Sequence, residues 1–296
     1  MTLVEAVVGA AQTLAAAGIP PDEARRDASL LARHHLQWDQ ARWLVRRNEA
    51  SPPGFLPELA ATVARRARRE PLAHITGERE FYGRLFKVTR DVLIPRQETE
   101  LVVDEALLRL PLDRFRLASA TVIDAGTGSG CLAITLARER PRLRVIGIDA
   151  SAAAIDVARG NAQRLGVADR IELRVARWPE GLTHDAPADL IVANPPYVSE
   201  RDRATLAPEV REFEPAAALF AGPDGLDAIR TLVPAAARAL APGGWLVMEI
   251  GAGQADDVAA IVAATPGLAL DRIVPDLQSI PRVVIAHVPV LPHHRG

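Results

Sequence analysis

From Thr121 onward the sequence alternates between two periods. Thr121-Val122-Ile123-Asp124, Arg144-Val145-Ile146-Gly147-Ile148-Asp149, Ile171-Glu172-Leu173 and Asp189-Leu190-Ile191-Val192 are short apolar runs, and all but the third have apolar residues on both faces. Helical patterns centred on 132–136 and 154–165 fall between them, and two more, at 226–240 and 258–263, come after. A strand apolar on both sides must be covered on both, and strands separated by helices pair in parallel. The pattern predicts an open, doubly wound α/β sheet, with late strands at 245–249 and 282–285.

The residues before this region read differently. Up to about residue 70 the patterns are helical only. Thr2 and Glu5 have the spacing of a capping box, and Gly18 can end the helix they begin. Pro20-Pro21 leads into a second helix through Leu30 and Leu31. A third carries Trp43, Leu44 and Val45, and Ser51-Pro52-Pro53-Gly54 breaks the chain. A fourth places Leu59, Val63 and Ala67 on one stripe, with Arg65, Arg66, Arg68 and Arg69 mostly off it. This is the pattern of a small helical bundle. Next, Phe81-Tyr82-Gly83 and Leu85-Phe86-Lys87-Val88 flank a Gly83-Arg84 pair, which predicts a hairpin. Pro95 stops the extended run before a helix beginning near Glu98. The expected division is a helical domain over 1–73, a connector over 74–100 and the α/β domain over 101–296.

Composition narrows the function classes. The chain has 296 residues, 35 Lys and Arg against 37 Asp and Glu, and a net charge of −2. That suits a globular protein with a sizeable core and argues against a broad basic face for duplex DNA. The single cysteine, Cys131, excludes a disulfide framework and a cysteine-based zinc site, and fits a reducing compartment. The uncharged stretch from Ala6 to Pro21 is short of the ~20 apolar residues of a membrane span and is broken by Gly9, Gln12 and Gly18. No basic residue precedes Arg25, so no signal peptide is read. The expectation is a cytoplasmic protein without membrane attachment. His34-His35 and His293-His294 lack nearby acidic or cysteine ligands and are read as surface residues, leaving no metal site.

Two motifs carry chemistry. Asp124-Ala125-Gly126-Thr127-Gly128-Ser129-Gly130 follows the first strand and opens a helix, where glycines let a ligand touch backbone N–H groups. Its third glycine falls four residues after the first, not five, so it is tighter than the pyrophosphate-binding form and suits a nucleoside without phosphates. Asp149 ends the next strand, where a carboxylate can accept from both ribose hydroxyls. The ligand this suggests is S-adenosylmethionine, giving S-adenosylhomocysteine as product, with Trp178 placed to lie against the adenine.

Asn194-Pro195-Pro196-Tyr197 comes directly off the fourth strand, at the edge where ligands sit in open α/β sheets. Neither proline donates a backbone hydrogen bond, and each has φ fixed near −65°. The stiff loop presents the Asn194 Oδ1 and local carbonyls as acceptors, matching a planar NH₂ group with two N–H donors. Tyr197 can pack on that plane. Such a nitrogen is a weak nucleophile because its lone pair is delocalised, and two accepted hydrogen bonds raise its electron density and aim it. A glutamine amide and adenine N6 both qualify.

Taken together these motifs resemble the release-factor glutamine methyltransferases. The likeness extends to Gly77-Glu78-Arg79-Glu80-Phe81-Tyr82-Gly83, Val92-Leu93-Ile94-Pro95-Arg96-Gln97-Glu98-Thr99-Glu100, Phe213-Glu214-Pro215, Gly222-Pro223-Asp224-Gly225-Leu226, Pro242-Gly243-Gly244 and Glu249-Ile250-Gly251. The resemblance implies a class I S-adenosylmethionine-dependent methyltransferase with a Rossmann-like sheet, acting on the glutamine of the Gly-Gly-Gln loop of peptide chain release factors. It implies that Gly126, Thr127, Gly128, Ser129, Gly130, Asp149, Trp178 and Asn194 hold the cofactor. Asn194, Pro195, Pro196 and Tyr197 would bind the substrate amide. It also implies that the helical domain docks the release factor, with the Arg65–Arg69 arginines as candidates to meet acidic or RNA-associated surface. No direct DNA contact is implied, and a monomer is expected. Two positions depart from the family pattern: Gln97 stands where proline is usual, and Arg177 precedes Trp178 where an acidic residue is usual. An enzyme acting on a glutamine of a large-subunit ribosomal protein, a nucleic-acid adenine methyltransferase, for which no basic groove or target-reading domain is read, and a non-catalytic cofactor-binding module are the alternatives.

Overall fold

The computed structural model describes residues 1–110, 120–182 and 186–290, so His293 and His294 lie outside the described residues. The chain forms two compact units, Met1–Glu78 with Ala207–Phe213, and Arg79–Leu206 with Glu214–Gly296.

The first unit is helical: α1 (Leu3–Ala16), α2 (Pro21–Leu36), α3 (Gln40–Arg46), α4 (Phe55–Ala67) and α5 (Leu72–Thr76). The capping box forms in full, with the Thr2 N–H on Glu5 Oε2 at 2.7 Å and the Glu5 N–H on Thr2 Oγ1 at 3.3 Å. Gly18 follows α1 at φ +85°. Pro21 occupies the first turn of α2, where a missing N–H costs nothing. Leu3, Leu14, Ile19, Leu31, Trp43, Phe55 and Leu59 form the core.

The arginines of α4 are not the solvated face that the helical stripe suggests. Arg66 is 2% exposed, and its guanidinium is enclosed by Glu23 at 2.6 Å, Asp27 at 2.6 Å and Glu209 at 2.8 Å. Arg69 also reaches Glu209, at 2.9 Å, and Arg65 is held by Glu70 at 2.8 Å. Their charge is neutralised within the unit, and of the four only Arg68 is exposed. Arg65, Arg66 and Arg69 are therefore engaged in these ion pairs rather than free to meet a partner as the resemblance made them candidates to do. His35 is half-buried rather than a plain surface residue; its Nε2 lies 3.0 Å from Thr62 Oγ1.

The second unit begins with the hairpin of β1 (Glu78–Phe81) and β2 (Arg84–Lys87). Its turn is Tyr82-Gly83, not Gly83-Arg84, and both residues have positive φ, +50° and +70°. Two positive-φ residues give the twist that a two-residue hairpin needs. Glu100 and Asp104 hold the unusual tyrosine, accepting from its N–H at 2.7 Å and its hydroxyl at 2.8 Å.

The remaining elements of the chain are α6 (Glu100–Arg109), β3 (Thr121–Ala125), α7 (Cys131–Glu139), β4 (Arg144–Asp149), α8 (Ala152–Arg164), β5 (Ile171–Val175), β6 (Ala188–Ala193), α9 (Pro208–Phe213), which belongs to the helical unit, α10 (Asp227–Ala239), β7 (Leu240–Glu249), α11 (Ala255–Ala263), β8 (Ala269–Pro275) and β9 (Pro281–His287). The seven-stranded sheet has the order β5-β4-β3-β6-β7-β9-β8. All pairings from β5 to β7 are parallel, and β9 runs against both its neighbours. Side chains alternate between two cores. Val122, Val145, Leu190, Val192 and Val247 pack with α6 and α7, whereas Ile123, Ile146, Ile191, Leu246 and Met248 pack with α10 and α11. This is the doubly wound α/β sheet that the apolar runs predicted. The sequence reading missed β8, a half-exposed edge strand with Asp271-Arg272 at its centre.

Candidate active site

Strand register decides what the sheet can present at its carboxyl edge. Ala125 of β3 is level with Ala193 of β6 and with Ile148 of β4. Asp149 is level with Val175 of β5, and Ala193 with Met248 of β7. Gly126, Asp149, Asn194 and Glu249 therefore stand together where four neighbouring parallel strands end, and the loop that carries Trp178 leaves the fifth, β5. Ligands in open α/β sheets sit at this edge.

The glycine loop is held from below and from the side. The N–H groups of Gly126 and Thr127 both donate to the Ile148 carbonyl, at 2.9 and 2.8 Å. Asp124, wholly buried, accepts from Thr127 Oγ1 at 2.7 Å and from the Ala133 N–H in α7 at 3.0 Å. Burial pushes its carboxyl up to about 7 against the lowering effect of these two bonds, and nearby Asp149 adds to the rise. Thr127 and Ser129 are buried as well, so they shape the loop from its inner side. Gly130 opens α7 at φ +82°, and a Cβ there would lie 2.8 Å from Ile134 Cδ1 and 3.2 Å from Ala158 Cβ. At Gly126 a Cβ would meet the Trp178 indole at 3.4 Å, which places that ring beside the first glycine.

Asp149 binds the loop directly. Its Oδ2 accepts from the Gly128 N–H and its Oδ1 from the Ser151 N–H, both at 2.9 Å. A carboxylate has about four acceptor positions, so lone pairs on both oxygens remain for a ligand diol. The positive-φ glycines, the half-exposed carboxylate and the indole fit a nucleoside. Arg177, beside Trp178, is exposed, and its carbonyl accepts from the Gly181 N–H at 2.6 Å.

At the end of β6, Pro195 is buried and Pro196 half-buried. The Asn194 amide is divided in its partners. Nδ2 donates to Thr99 Oγ1 at 3.0 Å, whereas Oδ1 is buried with no hydrogen-bond partner among the described residues. A buried carbonyl oxygen left unpaired costs about 1–3 kcal/mol, a cost that an incoming N–H donor would remove. The Tyr197 hydroxyl donates to Glu249 Oε1 at 3.0 Å, and its carbonyl accepts from Gln254 Nε2 at 3.0 Å. Gly225 fits against this loop because any Cβ would come within 2.3 Å of the Tyr197 carbonyl. Glu249 is 1% exposed; burial raises its pKa, although Thr99 and Tyr197 both donate to it. Burial, with Glu249 beside it, raises the Tyr197 pKa too.

Comparison with known proteins places this geometry in a family. Residues 5–77 match the family model of the PrmC N-terminal domain, and 117–265 match that of a methyltransferase domain. The release factor glutamine methyltransferase of Cereibacter sphaeroides is 45% identical, covering 98% of this chain and 99% of its own. The chain belongs to the release factor glutamine methyltransferase family. Proteins of the same name from Koribacter versatilis, 40% identical over 98% of this chain and 99% of their own, and from Geobacter sulfurreducens, 44% identical over 82% and 83%, agree. Among the described residues no group of three His, Cys, Asp or Glu is placed to hold a metal ion, and no helix is long and apolar enough to cross a membrane.

The structure thus brings together Gly126–Gly130, Asp149, Trp178 and the Asn194–Tyr197 turn at one sheet edge. Sequence reading assigned no role to Thr99 or Glu249. The signal available for Glu249 was an acid closing an apolar strand, as Asp124 and Asp149 do. Thr99 lies in the Val92–Glu100 segment that carries the resemblance, but nothing local points to its partners, which lie 95 and 150 positions away.

Proposed function

We propose that this protein transfers the methyl group of S-adenosylmethionine to the side-chain amide nitrogen, N5, of the glutamine in the Gly-Gly-Gln motif of peptide chain release factors. The buried Asn194 Oδ1 beside the glycine loop, without a hydrogen-bond partner among the described residues, carries the reading. Gly126, Thr127, Gly128, Ser129, Gly130 and Asp149 would hold the cofactor, with Trp178 and Asn194 at its margins. When bound, it supplies an electrophilic methyl on a sulfonium, whose thioether is a good leaving group.

The chain's own task is to make a poor nucleophile reactive. Asn194 Oδ1 and the Pro195 carbonyl accept hydrogen bonds from the two amide N–H groups, which raises electron density on the nitrogen and fixes its plane. Pro196 stiffens the turn and Tyr197 walls the amide. The alkylated nitrogen is strongly acidic and sheds a proton readily, so the site needs no strong general base. In-line positioning can supply up to roughly 7–11 kcal/mol of the barrier. The same reading takes residues 1–73 as the docking domain, 74–100 as a connector and 101–296 as the catalytic domain. It makes the enzyme a cytoplasmic monomer that binds neither DNA nor membrane, consistent with its net charge of −2.

The test is to incubate the protein with labelled cofactor and unmethylated release factor and to map the product by mass spectrometry. Label on the Gly-Gly-Gln glutamine is expected. Label on a ribosomal protein instead, or cofactor binding without transfer, refutes the assignment. Asn194→Ala is expected to lower kcat by roughly 100-fold with cofactor affinity nearly unchanged. Equal losses of both would show that Asn194 does not mainly hold the acceptor.

A further inference from the structure

An asparagine that receives an amide must keep its own amide turned the right way. Half a rotation of the Asn194 side chain would exchange Oδ1 for Nδ2 and meet the substrate's N–H groups with donors. The surrounding protons decide which way it points. Thr99 Oγ1 lies 2.6 Å from Glu249 Oε2 and 3.0 Å from Asn194 Nδ2. The Thr99 hydroxyl donates to Glu249 Oε2, so its single proton is committed there. Toward Asn194 the threonine then has only lone pairs, which can serve Nδ2 but not Oδ1. The other carboxylate oxygen of Glu249 is taken by the Tyr197 hydroxyl at 3.0 Å. Both Thr99 and Glu249 are 1% exposed. Thr99 precedes α6 without capping it through its side chain, so the hydroxyl is not committed to the helix.

We propose that Thr99 and Glu249 form a one-way hydrogen-bond chain that locks the Asn194 amide with Oδ1 toward the acceptor, making both positioning residues for methyl transfer. This rests on the reading that Asn194 Oδ1 receives the substrate amide. It also explains why asparagine occupies the position. Aspartate at 194 would set two carboxylates competing for one threonine proton.

The experiment uses the full chain, labelled cofactor and unmethylated release factor, with kcat, KM and cofactor affinity measured separately. Thr99→Val is expected to lower kcat by roughly 10- to 100-fold, the scale on which small misplacements act, with cofactor affinity within about twofold. Thr99→Ser, which keeps the hydroxyl, is expected to recover kcat to within about threefold. In an Asn194→Ala background, Thr99→Val should add less than about threefold, because residues acting as one unit are not additive. If valine prevents folding, Thr99→Ala removes the same hydroxyl with less bulk and carries the same expectation. Wild-type kcat in Thr99→Val, no recovery in Thr99→Ser, or a full additional loss in the Asn194→Ala background overturns the chain while leaving the Asn194 assignment standing. Wild-type kcat in Asn194→Ala alone overturns both.

Discussion

Two glycines of the cofactor loop share a backbone conformation but not its surroundings, and their substitution separates the two reasons for glycine. At Gly128 φ is +53° and a Cβ would have nothing within 4 Å, whereas at Gly130 φ is +82° and a Cβ would sit 2.8 Å from Ile134 Cδ1 and 3.2 Å from Ala158 Cβ. Left-handed backbone costs an alanine about 1–2 kcal/mol. The smaller conformational freedom of the unfolded alanine chain offsets about 0.4–1 kcal/mol. Gly128→Ala should therefore lose between about 0 and 1.6 kcal/mol. Gly130→Ala adds overpacking between α7 and α8, about 1–3 kcal/mol. The difference between the variants is thus about 1–3 kcal/mol, or roughly 2–12 °C in the melting temperature of a unit of this size. Calorimetry of both proteins without cofactor reads it directly. Equal melting temperatures would refute the claim that close packing adds to φ in demanding glycine at 130.

The buried Asp124 carboxyl, raised to about 7, makes a linkage prediction. A carboxyl that holds its proton more tightly when folded contributes stability that is fully present below the unfolded value, about 3.9, and is lost as pH rises through about 7. Urea titrations between pH 4 and 7 should show this single-proton slope, up to about 1.4 kcal/mol per pH unit, and Asp124→Asn should remove it; an identical slope in the variant refutes the assignment. Arg66→Met should destabilise the helical unit by about 3–5 kcal/mol at neutral pH by leaving three carboxylates facing one another. Burial alone would raise the Glu209 pKa, but Arg66 and Arg69 outweigh it and hold the value low. The penalty should therefore shrink as pH falls toward 4, and a penalty constant with pH in thermal melts would contradict the cage.

What the sequence disclosed, and what it hid, follows the range of the interactions. The five parallel strands were legible as short apolar runs, because pairs such as Val122-Ile123 or Leu190-Ile191 must bury opposite faces, a purely local constraint. The capping box at Thr2 and Glu5 spans three positions and was equally plain. The hairpin turn was misplaced by one residue because glycine normally takes the positive φ that Tyr82 adopts here, and the acids restraining Tyr82 come 18 and 22 positions later. β8 escaped notice because an edge strand needs no continuous apolar run. Arg66 lay off the apolar stripe and so read as solvated. Its burial depends on Asp27 and Glu209, which are 39 and 143 positions distant. In the candidate site the glycine loop and the Asn194 turn were visible as motifs. The groups that orient them, Thr99 and Glu249, are joined only by the fold.

The shared register of β3 and β6 turns the sheet into a ruler. One residue added to either strand would advance its loop by about 3.3 Å and invert the side chain that follows, taking Asn194 away from Gly126 whatever its identity. Drift in this chain can therefore lengthen loops freely, but it cannot change the count of residues between the last ladder pair and the asparagine.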